Sequence, residues 1–589
     1  MRKRRLICVL TALTVVLSVL TGTGFAFQAA SAETSVVGDV NGDGKVTAAD
    51  YQILKQIFSG KDVSEAAAAR ADINNDGRIT SADYTIVKWI FMGIPVQVTP
   101  KALAPQPEPS DDGIAFSYEV SGTISDNMVL QRNQTISVFG TADRPGGIVY
   151  AELMGETRYG TVDQDGNWCI DMSARKASSE PVELKVYTRA QGTGNATCFR
   201  NILVGDVWII AGQSNAQVNL SNTLVNNPAF LNEAGKQDTI RLFTQWFWEC
   251  TEYWADDFPQ DSAGKYVRRE EAPTPQKDVY EGACWLENTR ENALAFSAVG
   301  YYFAKQVADH TNVPIGMIQM VAGGSALCDF MPPDQYRPEL HKKGASQFYP
   351  SDIYNSLMAP FQKTRITGML WYQGEGNVGD YDCYAENLRD FVAMMRNLYG
   401  EEMAFYNVQL TSHNDTANQW PQLPELRFAQ AQAAELIGNY NLVCSMDYGS
   451  NYHDNDFAHP SNKKHIGDRL AYLALANIYD YKNFSVSDYG SPEMFQAVVK
   501  DGAVYFYFSN VGNSLKGSGT SKVIKGFTDY DTGKALNAVL ETVNCVKVSI
   551  GNKKNITIAY GNNAMADKAV CNLQNSKGIG ALAFAYRVN

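Results

Sequence analysis

The chain has 589 residues, of which 45% are hydrophobic and 19% are charged, so it can bury a large core and form several domains. Its formal net charge of −13 at pH 7 argues against binding to nucleic acid and, more mildly, against polyanionic substrates. The ten cysteines are scattered without metal-ligand spacing, which argues against a zinc site and against a dense disulfide framework.

The first residues carry the pattern of an export signal. The basic stretch Met1–Arg5 precedes an apolar run from Leu6 to Leu20, and Ala30-Ser31-Ala32 forms a small-x-small cleavage site. We therefore expect residues 1–32 to be a signal peptide and the mature protein to be secreted, extracellular and not bound to a membrane. A membrane anchor is the alternative, but no later segment is apolar over the roughly 18 residues that a span needs. Cleavage removes Cys8 and leaves an odd number of cysteines, so at least one stays free or pairs with another chain.

Two short loops rich in Asp, Asn and Gly repeat within residues 35–93. Each has oxygen side chains at positions 1, 3, 5 and 12, a glycine at position 6 for the turn, and a carbonyl ligand at position 7, as in an EF-hand calcium loop. The predicted calcium ligands are Asp39, Asn41, Asp43, Lys45 and Asp50 in the first loop, and Asp72, Asn74, Asp76, Arg78 and Asp83 in the second. Because position 12 is Asp and not the usual bidentate Glu, the following helix must begin closer to the ion. We expect two structural Ca²⁺ ions and no cofactor for catalysis.

An apolar stripe at helical spacing follows each loop. The stripe residues are Tyr51, Ile53, Leu54, Ile57 and Phe58 after the first loop, and Tyr84, Ile86, Val87, Ile90 and Phe91 after the second. The two helices can pack only on each other, because the module is too small for another core. This duplicated loop-helix unit resembles a type I dockerin, the calcium-dependent module that attaches secreted enzymes to cellulosome scaffoldins through a cohesin. The resemblance implies a cohesin module as partner and an extracellular cellulosome as location, whereas an EF-hand sensor, the alternative, would be unusual in a secreted enzyme.

The rest of the chain divides by its residue pattern. Prolines without an apolar period predict a linker over residues 94–115. Short alternating strands over residues 116–200 predict an N-terminal β-sandwich domain, and strands that alternate with helices over residues 201–482 predict an α/β domain with a parallel sheet. Strands return over residues 483–589, which we interpret as a C-terminal β region. The predicted fold class is therefore α/β, flanked by β regions and preceded by a small α-helical EF-hand-like module.

Ser214 is the candidate nucleophile. The apolar run Val207–Ile210 predicts a buried strand, and Ala211-Gly212-Gln213-Ser214-Asn215 follows it at a turn toward a helix. A serine on such a turn exposes its hydroxyl, and the amide N–H groups at the helix start, including that of Ser214, can bind a developing oxyanion. A tight turn without chemistry is the alternative for this pentapeptide taken alone.

His459 is the candidate base. Asp456 precedes it by three residues, so the carboxylate can reach Nδ1 within one turn and fix the tautomer while Nε2 serves Ser214. His453 is the rival histidine, and Asp447 is the rival carboxylate. The other histidines of the chain, which lack the Asp-x-x-His setting, are His310, His341, His413 and His465.

A series of motifs occurs in a fixed order along the chain. They are Gly212-Gln213-Ser214-Asn215, Phe296–Gly300, Ile315-Gly316 with Gly323-Gly324-Ser325, Trp371–Glu375, Leu426–Gln430 and Asp456-x-x-His459-Pro460. Together they resemble the sialate O-acetylesterase family, a branch of the SGNH hydrolases. The similarity extends from about Phe116 to the C-terminus and includes Met128–Arg132, Phe139–Ala142 and Gly205–Trp208. The resemblance implies an SGNH-type three-layer hydrolase and a triad of Ser214, His459 and Asp456. Phe428 departs from the family, which usually has Glu at this position, so a role of that Glu does not carry over.

The oxyanion hole has several candidate donors besides the Ser214 amide. Gly323-Gly324-Ser325 follows the strand-like run Ile315–Val321, so the N–H of Gly324 can approach a substrate oxygen closely. SGNH enzymes generally add a side-chain amide, and the match to the family motif favours Gln373, with Asn377 as the second choice. Glu375 orients a loop or a substrate hydroxyl, or makes a structural hydrogen bond inside the turn.

These features predict a secreted, cellulosome-associated carbohydrate O-acetylesterase in which Ser214 attacks the acetyl carbonyl, His459 shuttles the proton and Asp456 orients the imidazole. The esterase resemblance implies acetylated sialic acid as substrate, whereas the dockerin resemblance implies plant cell-wall polysaccharide such as acetylated xylan or mannan, which we favour. A non-catalytic glycan-binding component of a cellulosome is the alternative from another class. The aromatic residues of the segment from Trp246 to Gly282 stack on sugar rings or pack in a core.

Overall fold

The computed structural model describes residues 38–41, 45–58, 64, 67, 70, 71, 73, 87, 103, 105–190, 192, 196–245, 274–335, 337, 348, 350–400, 403–413, 420–448, 458–479, 481–517, 521–563, 565 and 569–588. The predicted signal peptide lies outside these residues. Contacts divide the chain into two units, Met1–Val98 and Thr99–Asn589, which are described separately. In the described part of the chain, no helix combines the length and the apolar character that crossing a membrane requires.

The N-terminal unit contains helix α1, Ala48–Phe58. Leu54 on this helix is fully buried and belongs to one cluster with Val40, Ala71 and Val87. Leu54 comes from the first predicted apolar stripe and Val87 from the second, so the two stripes contribute to one core. The EF-hand-like form of this unit depends on loop residues outside the described ones and stays a prediction.

The larger unit begins with a β-rich part. Its strands are β1 (Tyr118–Val120), β2 (Val129–Gln131), β3 (Ile136–Ala142), β4 (Ile148–Leu153), β5 (Glu156–Thr161), β6 (Asn167–Met172), β7 (Ser178–Thr188) and β8 (Thr197–Gly212). Strands β1, β3 and β6 form one antiparallel sheet. Strand β4 pairs with β5 and β7, and the first half of β8 pairs with β7 and β2. Alternate residues of β6 are buried, Trp168, Ile170 and Met172, so one face of this strand lies on the core.

The proline-rich segment before β1 is bound to this β part. Gln106 and Tyr159 exchange two hydrogen bonds, from Gln106 Nε2 to the Tyr159 carbonyl (3.1 Å) and from the Tyr159 N–H to Gln106 Oε1 (2.9 Å). The Tyr150 hydroxyl donates to Asp111 (2.9 Å), and Arg144 makes a two-pronged ion pair with Asp112 (3.0 and 2.6 Å). The predicted linker covers residues 94–115. Its second half is attached to a folded domain, because its polar groups form hydrogen bonds and an ion pair there.

The α/β part adds strands β9 (Ile240–Thr244), β10 (Cys284–Glu287), β11 (Ile315–Val321), β12 (Gly368–Tyr372), β13 (Ala404–Gln409) and β14 (Tyr440–Cys444). Its helices are α2 (Ser214–Gln217), α3 (Leu220–Thr223), α4 (Arg290–Ala295), α5 (Ala298–His310), α6 (Tyr384–Tyr399), α7 (Leu423–Gln432) and α8 (Lys464–Asn477). Shorter helical turns are Pro228–Asn232, Leu327–Phe330, Tyr354–Met358, Ala359–Phe361, Glu375–Asp380, Ala433–Glu435 and Met446–Tyr448. The strand order is β10-β9-β11-β8-β12-β13-β14, with every neighbouring pair parallel except β10 with β9.

Strand β8 joins the β part to the α/β part without a break. Its residues up to Gly205 pair with β7 and β2, and Asp206–Gly212 pair with β11 on one side, with β12 alongside Trp208–Gly212 on the other. The predicted domain boundary between residues 200 and 201 therefore falls inside one continuous strand. The ion pair between Arg132 and Asp206 (2.9 Å at each prong) fastens this junction.

Helices cover both faces of the parallel sheet. Trp208 packs on Phe303 of α5, with ring centres 4.8 Å apart. Trp371 is in register with Ala211, which is three residues beyond Trp208 on β8, so Trp371 lies on the opposite face of the sheet from Trp208. There it packs on Phe391 of α6, with ring centres 4.5 Å apart. The predicted α/β class is confirmed, since a parallel sheet is buried on both sides by helices.

The C-terminal part is a second antiparallel β region behind helix α9 (Val486–Tyr489). Its strands are β15 (Glu493–Lys500), β16 (Ala503–Ser509), β17 (Val523–Ile524), β18 (Phe527–Asp529), β19 (Ala538–Thr542), β20 (Cys545–Ser549), β21 (Thr557–Tyr560) and β22 (Phe584–Arg587). They form the sheets β15-β16-β20-β19-β17 and β18-β21-β22. Phe506 of the first sheet packs on Phe527 and Phe584 of the second, so the two sheets share a core.

Candidate active site

The sheet places Ser214 at the end of its central strand. Strand β8 ends at Gly212, and Ser214 is the first residue of the short helix α2. Gly212 has φ +138, and a Cβ at this position would lie 2.1 Å from the carbonyl oxygen of Tyr372. Only glycine fits, because the chain must turn tightly against β12. The strand-to-helix turn predicted for Ser214 is present.

His459 meets Ser214 across this turn. His459 lies just before helix α8, and its Nε2 is 2.8 Å from the Ser214 Oγ. Both side chains are partly exposed in an open cleft of about 410 Å³. The other residues that line the cleft are Gln217, Val218, Asn219, Asn222 and Ser461. A hydroxyl within hydrogen-bond reach of an imidazole at a solvent-accessible cleft can be deprotonated as it attacks a carbonyl.

The carboxylate predicted to orient His459, Asp456, lies outside the described residues, as does the rival His453. The rival carboxylate Asp447 is engaged elsewhere, because Arg469 donates to both of its oxygens (2.8 and 2.7 Å). Burial alone would raise the pKa of Asp447, but the Arg469 charge and hydrogen bonds hold that pKa below its usual range. Asp447 is thus part of a structural ion pair.

The other described histidines occupy separate positions. Nδ1 of His310 lies 2.8 Å from the carbonyl of Gln306 on its own helix. His413 packs on Trp420, with ring centres 4.6 Å apart, and His465 packs on Tyr448 at 4.3 Å. Burial lowers the pKa of His465 well below its ordinary value, so this imidazole is neutral at pH 7. His341 lies outside the described residues.

The main chain at Ala322 and Gly323 passes close to Ser214. The N–H of Ala322 donates to the Gly212 carbonyl (3.0 Å), and a Cβ on the next residue, Gly323, would be 3.6 Å from the Ser214 Cβ. The Gly323 N–H is bound to Gln217 Oε1 (2.8 Å). Gly324 is exposed, has φ +80, and its N–H makes no hydrogen bond with any described residue. Of the two glycines, Gly324 is the one whose amide is available to an oxyanion.

The two side-chain amides predicted for the oxyanion hole, Gln373 and Asn377, are both buried. Gln373 is fully buried, and its Nε2 donates to Gln213 Oε1 (3.2 Å), to the Ser325 carbonyl (3.2 Å) and to Asn377 Oδ1 (2.8 Å). Asn377 Oδ1 also accepts from the Leu327 N–H (2.8 Å). The Gln373 amide therefore bonds to protein groups, whereas Nδ2 of Asn377 makes no hydrogen bond with any described residue, and both donors stay predictions.

Gln213 has a role that the sequence did not indicate. Its Oε1 accepts hydrogen bonds from the N–H groups of Gly374 (3.2 Å) and Gly376 (3.1 Å), as well as from Gln373. The residue before the nucleophile therefore fixes the turn after β12. The signal available in the sequence for this role was the position of Gln213 in the motif, directly before Ser214.

Asn215 and Lys463 were also missed. Asn215 Nδ2 donates to Glu375 Oε1 (2.5 Å) and to the carbonyl of Ala458 (3.1 Å), and its Oδ1 accepts from Lys463 Nζ. This bond joins Glu375 to the nucleophile turn and not to a group inside its own turn. Burial raises the pKa of Glu375. The signals in the sequence were an amide directly after the nucleophile and a lysine shortly after the histidine, at the start of a helix.

Two further motifs of the series are structural. Ser297 donates to the Ala216 carbonyl (2.6 Å) and caps helix α5. Arg427 is fully buried, donates to three carbonyl groups, and has its pKa lowered by burial to about 10. Its neighbour Phe428, at the position of the family's Glu, packs on the C-terminal core and faces Tyr530 with ring centres 6.4 Å apart. That position belongs to the contact with the C-terminal β region.

The first predicted calcium loop is described in part. Asp50 is fully buried and Asp39 nearly so, and Asp50 accepts from the N–H groups of Asn41 (2.9 Å) and Thr47 (2.7 Å). Asp39, Asn41 and Asp50 thus lie on one closed loop with oxygen groups of the kind that Ca²⁺ prefers. The predicted ligands outside the described residues are Asp43, Asp72, Asn74, Asp76, Arg78 and Asp83.

Other predictions concern cysteines and aromatic residues. No disulfide joins any two of the described cysteines, Cys169, Cys198, Cys284, Cys328, Cys383, Cys444, Cys545 and Cys571. The aromatic residues predicted to stack on sugars or pack in a core, from Trp246 to Trp254, lie outside the described residues. Among the residues that the structure describes, no group of three or more His, Cys, Asp or Glu could hold a metal ion.

Comparison with known families gives two matches. Residues 37–91 match the dockerin type I domain, and residues 271–476 match the family described as carbohydrate esterase, sialic acid-specific acetylesterase. The second match includes Gly324, Gln373 and His459 but begins after Ser214.

Individual relatives agree with these matches. Sialate O-acetylesterases of Rattus norvegicus and Homo sapiens are each 22% identical to this chain, over 63% and 64% of its length and 76% and 74% of their own. The crystal structure of a carbohydrate acetylesterase from Xanthomonas citri is 25% identical, with a TM-score of 0.66, and covers 80% of this chain and 99% of its own.

Proposed function

We propose that this chain, a carboxylic ester hydrolase with a dockerin type I domain and a carbohydrate esterase domain, removes acetyl groups from glycans with Ser214 as nucleophile. The observation that carries this proposal is the 2.8 Å contact between Ser214 Oγ and His459 Nε2 at the mouth of a cleft. Such a pair is the minimum that nucleophilic ester hydrolysis requires.

The mechanism follows from the positions of these groups. His459 Nε2 takes the Ser214 proton as Oγ attacks the acetyl carbonyl carbon, and the sugar oxygen leaves with a proton from His459. The N–H groups of Ser214 and Gly324 stabilise the tetrahedral oxyanion. Water, activated by His459, then releases acetate from the acetyl-enzyme. In this proposal Asp456 orients His459 and stabilises the imidazolium.

The fold and the remaining features fit this proposal. We assign residues 201–482 to an SGNH-type three-layer hydrolase, supported by helices on both faces of the parallel sheet. The signal-peptide pattern of residues 1–32 and the dockerin match support secretion into a cellulosome, with a cohesin as partner and two structural Ca²⁺ ions. No cofactor takes part in the proposed chemistry.

The preferred substrate in this proposal is a neutral acetylated polysaccharide of the plant cell wall, such as xylan or mannan. Amide and hydroxyl side chains of the cleft, Gln217, Asn222 and Ser461, can exchange hydrogen bonds with neutral sugar hydroxyls. The net charge of −13 repels an anionic sugar such as sialic acid. Sialic acid stays the second candidate, because curated relatives carry that activity in their names.

Acetate release from acetylated xylan, acetylated mannan and O-acetyl sialic acid, measured side by side with Ser214→Ala as the blank, tests the proposal. We expect faster release from the neutral polysaccharides. Preference for O-acetyl sialic acid would assign the second substrate. Retention on a glycan column without turnover of any ester would make the chain a glycan-binding component instead.

A further inference from the structure

Asn215 connects the two halves of the candidate active site. It directly follows Ser214, and Ala458, whose carbonyl accepts from Asn215 Nδ2 (3.1 Å), directly precedes His459. One buried side chain thus spans from the neighbour of the nucleophile to the neighbour of the base. Ser214 and His459 are 245 residues apart in the chain, so contacts of this kind set their spacing.

The Asn215 amide is held in a single orientation. Its two N–H groups go to Glu375 Oε1 (2.5 Å) and to Ala458, and its oxygen accepts from Lys463 Nζ. An ammonium can only donate and a carbonyl can only accept. A flipped amide would oppose donor to donor and acceptor to acceptor, at about 1–3 kcal/mol for each buried group left unsatisfied.

The groups that bond to Asn215 are themselves held in place by burial and by further contacts. Lys463 is fully buried, and its Nζ lies 5.3 Å from the centre of the Tyr372 ring. Glu375 is on the turn after β12, whose N–H groups at Gly374 and Gly376 are bound by Gln213. The bonds of Asn215 therefore tie three elements together: the nucleophile turn, the turn after β12 and the segment that carries His459.

We infer that Asn215 is a positioning residue, which keeps His459 Nε2 within reach of Ser214 Oγ through its bonds to Glu375, Ala458 and Lys463. This inference rests on the proposed roles of Ser214 and His459. A displacement of about 1 Å between reacting groups can lower a rate about 100-fold, so loosening this connection affects kcat. The KM changes little, because the residues that line the cleft stay in place.

Asn215→Ala tests the connection directly, with 4-nitrophenyl acetate and acetylated xylan as substrates. We expect kcat to fall by about 30-fold or more with KM within about threefold of wild type. Asn477→Ala is the control, because it removes a surface amide bond to Asn441 at the other end of helix α8, about 20 Å from Lys463. Circular dichroism checks that each variant is folded.

Asn215→Asp adds a second measurement, the pH dependence of kcat, which would not change if Asn215 had a purely structural role. The new carboxylate keeps Lys463 as a hydrogen-bond donor but faces Glu375, so the two acids repel when both are ionised and share a hydrogen bond when one is protonated. Other titratable or charged side chains near this pair are His459, Arg427 and His413, whose Nε2 lies 3.9 Å from Glu375 Oε1. The kcat of this variant relative to wild type should therefore fall as the pH rises from about 5 to about 9. The ratio removes the pH dependence that both enzymes have in common.

Adding Glu375→Gln to Asn215→Asp should reverse the pH effect. The new amide can donate to the new carboxylate, which restores a bond of opposite polarity and removes the like-charge pair. We expect kcat at high pH to recover about tenfold over the single variant, with a relative rate that no longer depends on pH. A kcat of Asn215→Ala within threefold of wild type, or no recovery in the double variant, overturns the inference. If either result is found while Ser214→Ala is inactive, the proposed function still holds. A failure of this inference can therefore be distinguished from a failure of the proposed function.

Discussion

The two units of the molecule hold their functional residues by different means. In the N-terminal unit, Asp50 closes its loop with bonds to Asn41 and Thr47, which are nine and three residues away along the chain. In the larger unit, Ser214 and His459 meet across 245 residues of chain, through the order of strands in a parallel sheet. In our proposal the local loop depends on its own charges and on a bound ion, whereas the esterase site depends on packing. Changes to one should therefore leave the other intact.

The largest effect is expected for Ser214→Ala. Removal of the hydroxyl should lower the turnover number on 4-nitrophenyl acetate by about three orders of magnitude or more, because the members of such a triad act as a unit. Stopped-assay acetate release measures this directly. A variant that keeps a tenth of the wild-type rate would exclude Ser214 as the nucleophile.

Asp456→Asn should cost nearly as much. The amide would favour the wrong tautomer of His459, which lowers kcat by about two to three orders of magnitude without unfolding the protein. Steady-state kinetics of Asp456→Asn and Asp447→Asn, compared at equal folded concentration, checks the assignment. A larger loss of kcat in Asp447→Asn would move the orienting role to Asp447.

Gly324→Ala should have an intermediate effect. Gly324 has φ +80, so an alanine there strains the turn and shifts the N–H that is proposed to bind the oxyanion, which should lower kcat about tenfold. Gly533→Ala is the control, since Gly533 has φ +66 and open space around its Cβ position. An equal and small effect on kcat in both variants would remove Gly324 from the oxyanion hole.

The difference between the units also decides what the sequence could predict. The strand-to-helix turn at Ser214 and its histidine were predictable, because each motif has a local backbone requirement such as Gly212 beside Tyr372. The direction of the Gln373 amide was not, since it depends on Gln213 and Ser325 from other segments. The hydrogen bonds of Asn215 could not be predicted for the same reason, because their partners lie far away along the chain.

Asp447→Asn should lower stability and leave the chemistry unchanged. It leaves Arg469 buried without its carboxylate, which costs about 3–5 kcal/mol in the free energy of unfolding. Because the folded pKa of Asp447 is depressed, its contribution is complete above the unfolded pKa of about 3.9 and is lost as the pH falls through the folded pKa. Thermal melts should therefore differ most near neutral pH and converge in acid. A constant difference down to low pH would contradict the ion pair as the cause.

Chelation of calcium should have no effect on ester hydrolysis. This is the smallest expected change in activity, and it separates the two units most clearly. The predicted loops bring together the carboxylates of Asp39, Asp43, Asp50, Asp72, Asp76 and Asp83, and without Ca²⁺ their mutual repulsion opposes folding. EDTA should therefore abolish capture by a cohesin and expose residues 37–93 to limited proteolysis, while the rate on 4-nitrophenyl acetate stays at its starting value. Restoring Ca²⁺ should recover cohesin capture, and Mg²⁺ at the same concentration serves as the control for ionic strength. Loss of both activities together would mean that the hydrolase itself needs a metal or that the two units do not fold independently.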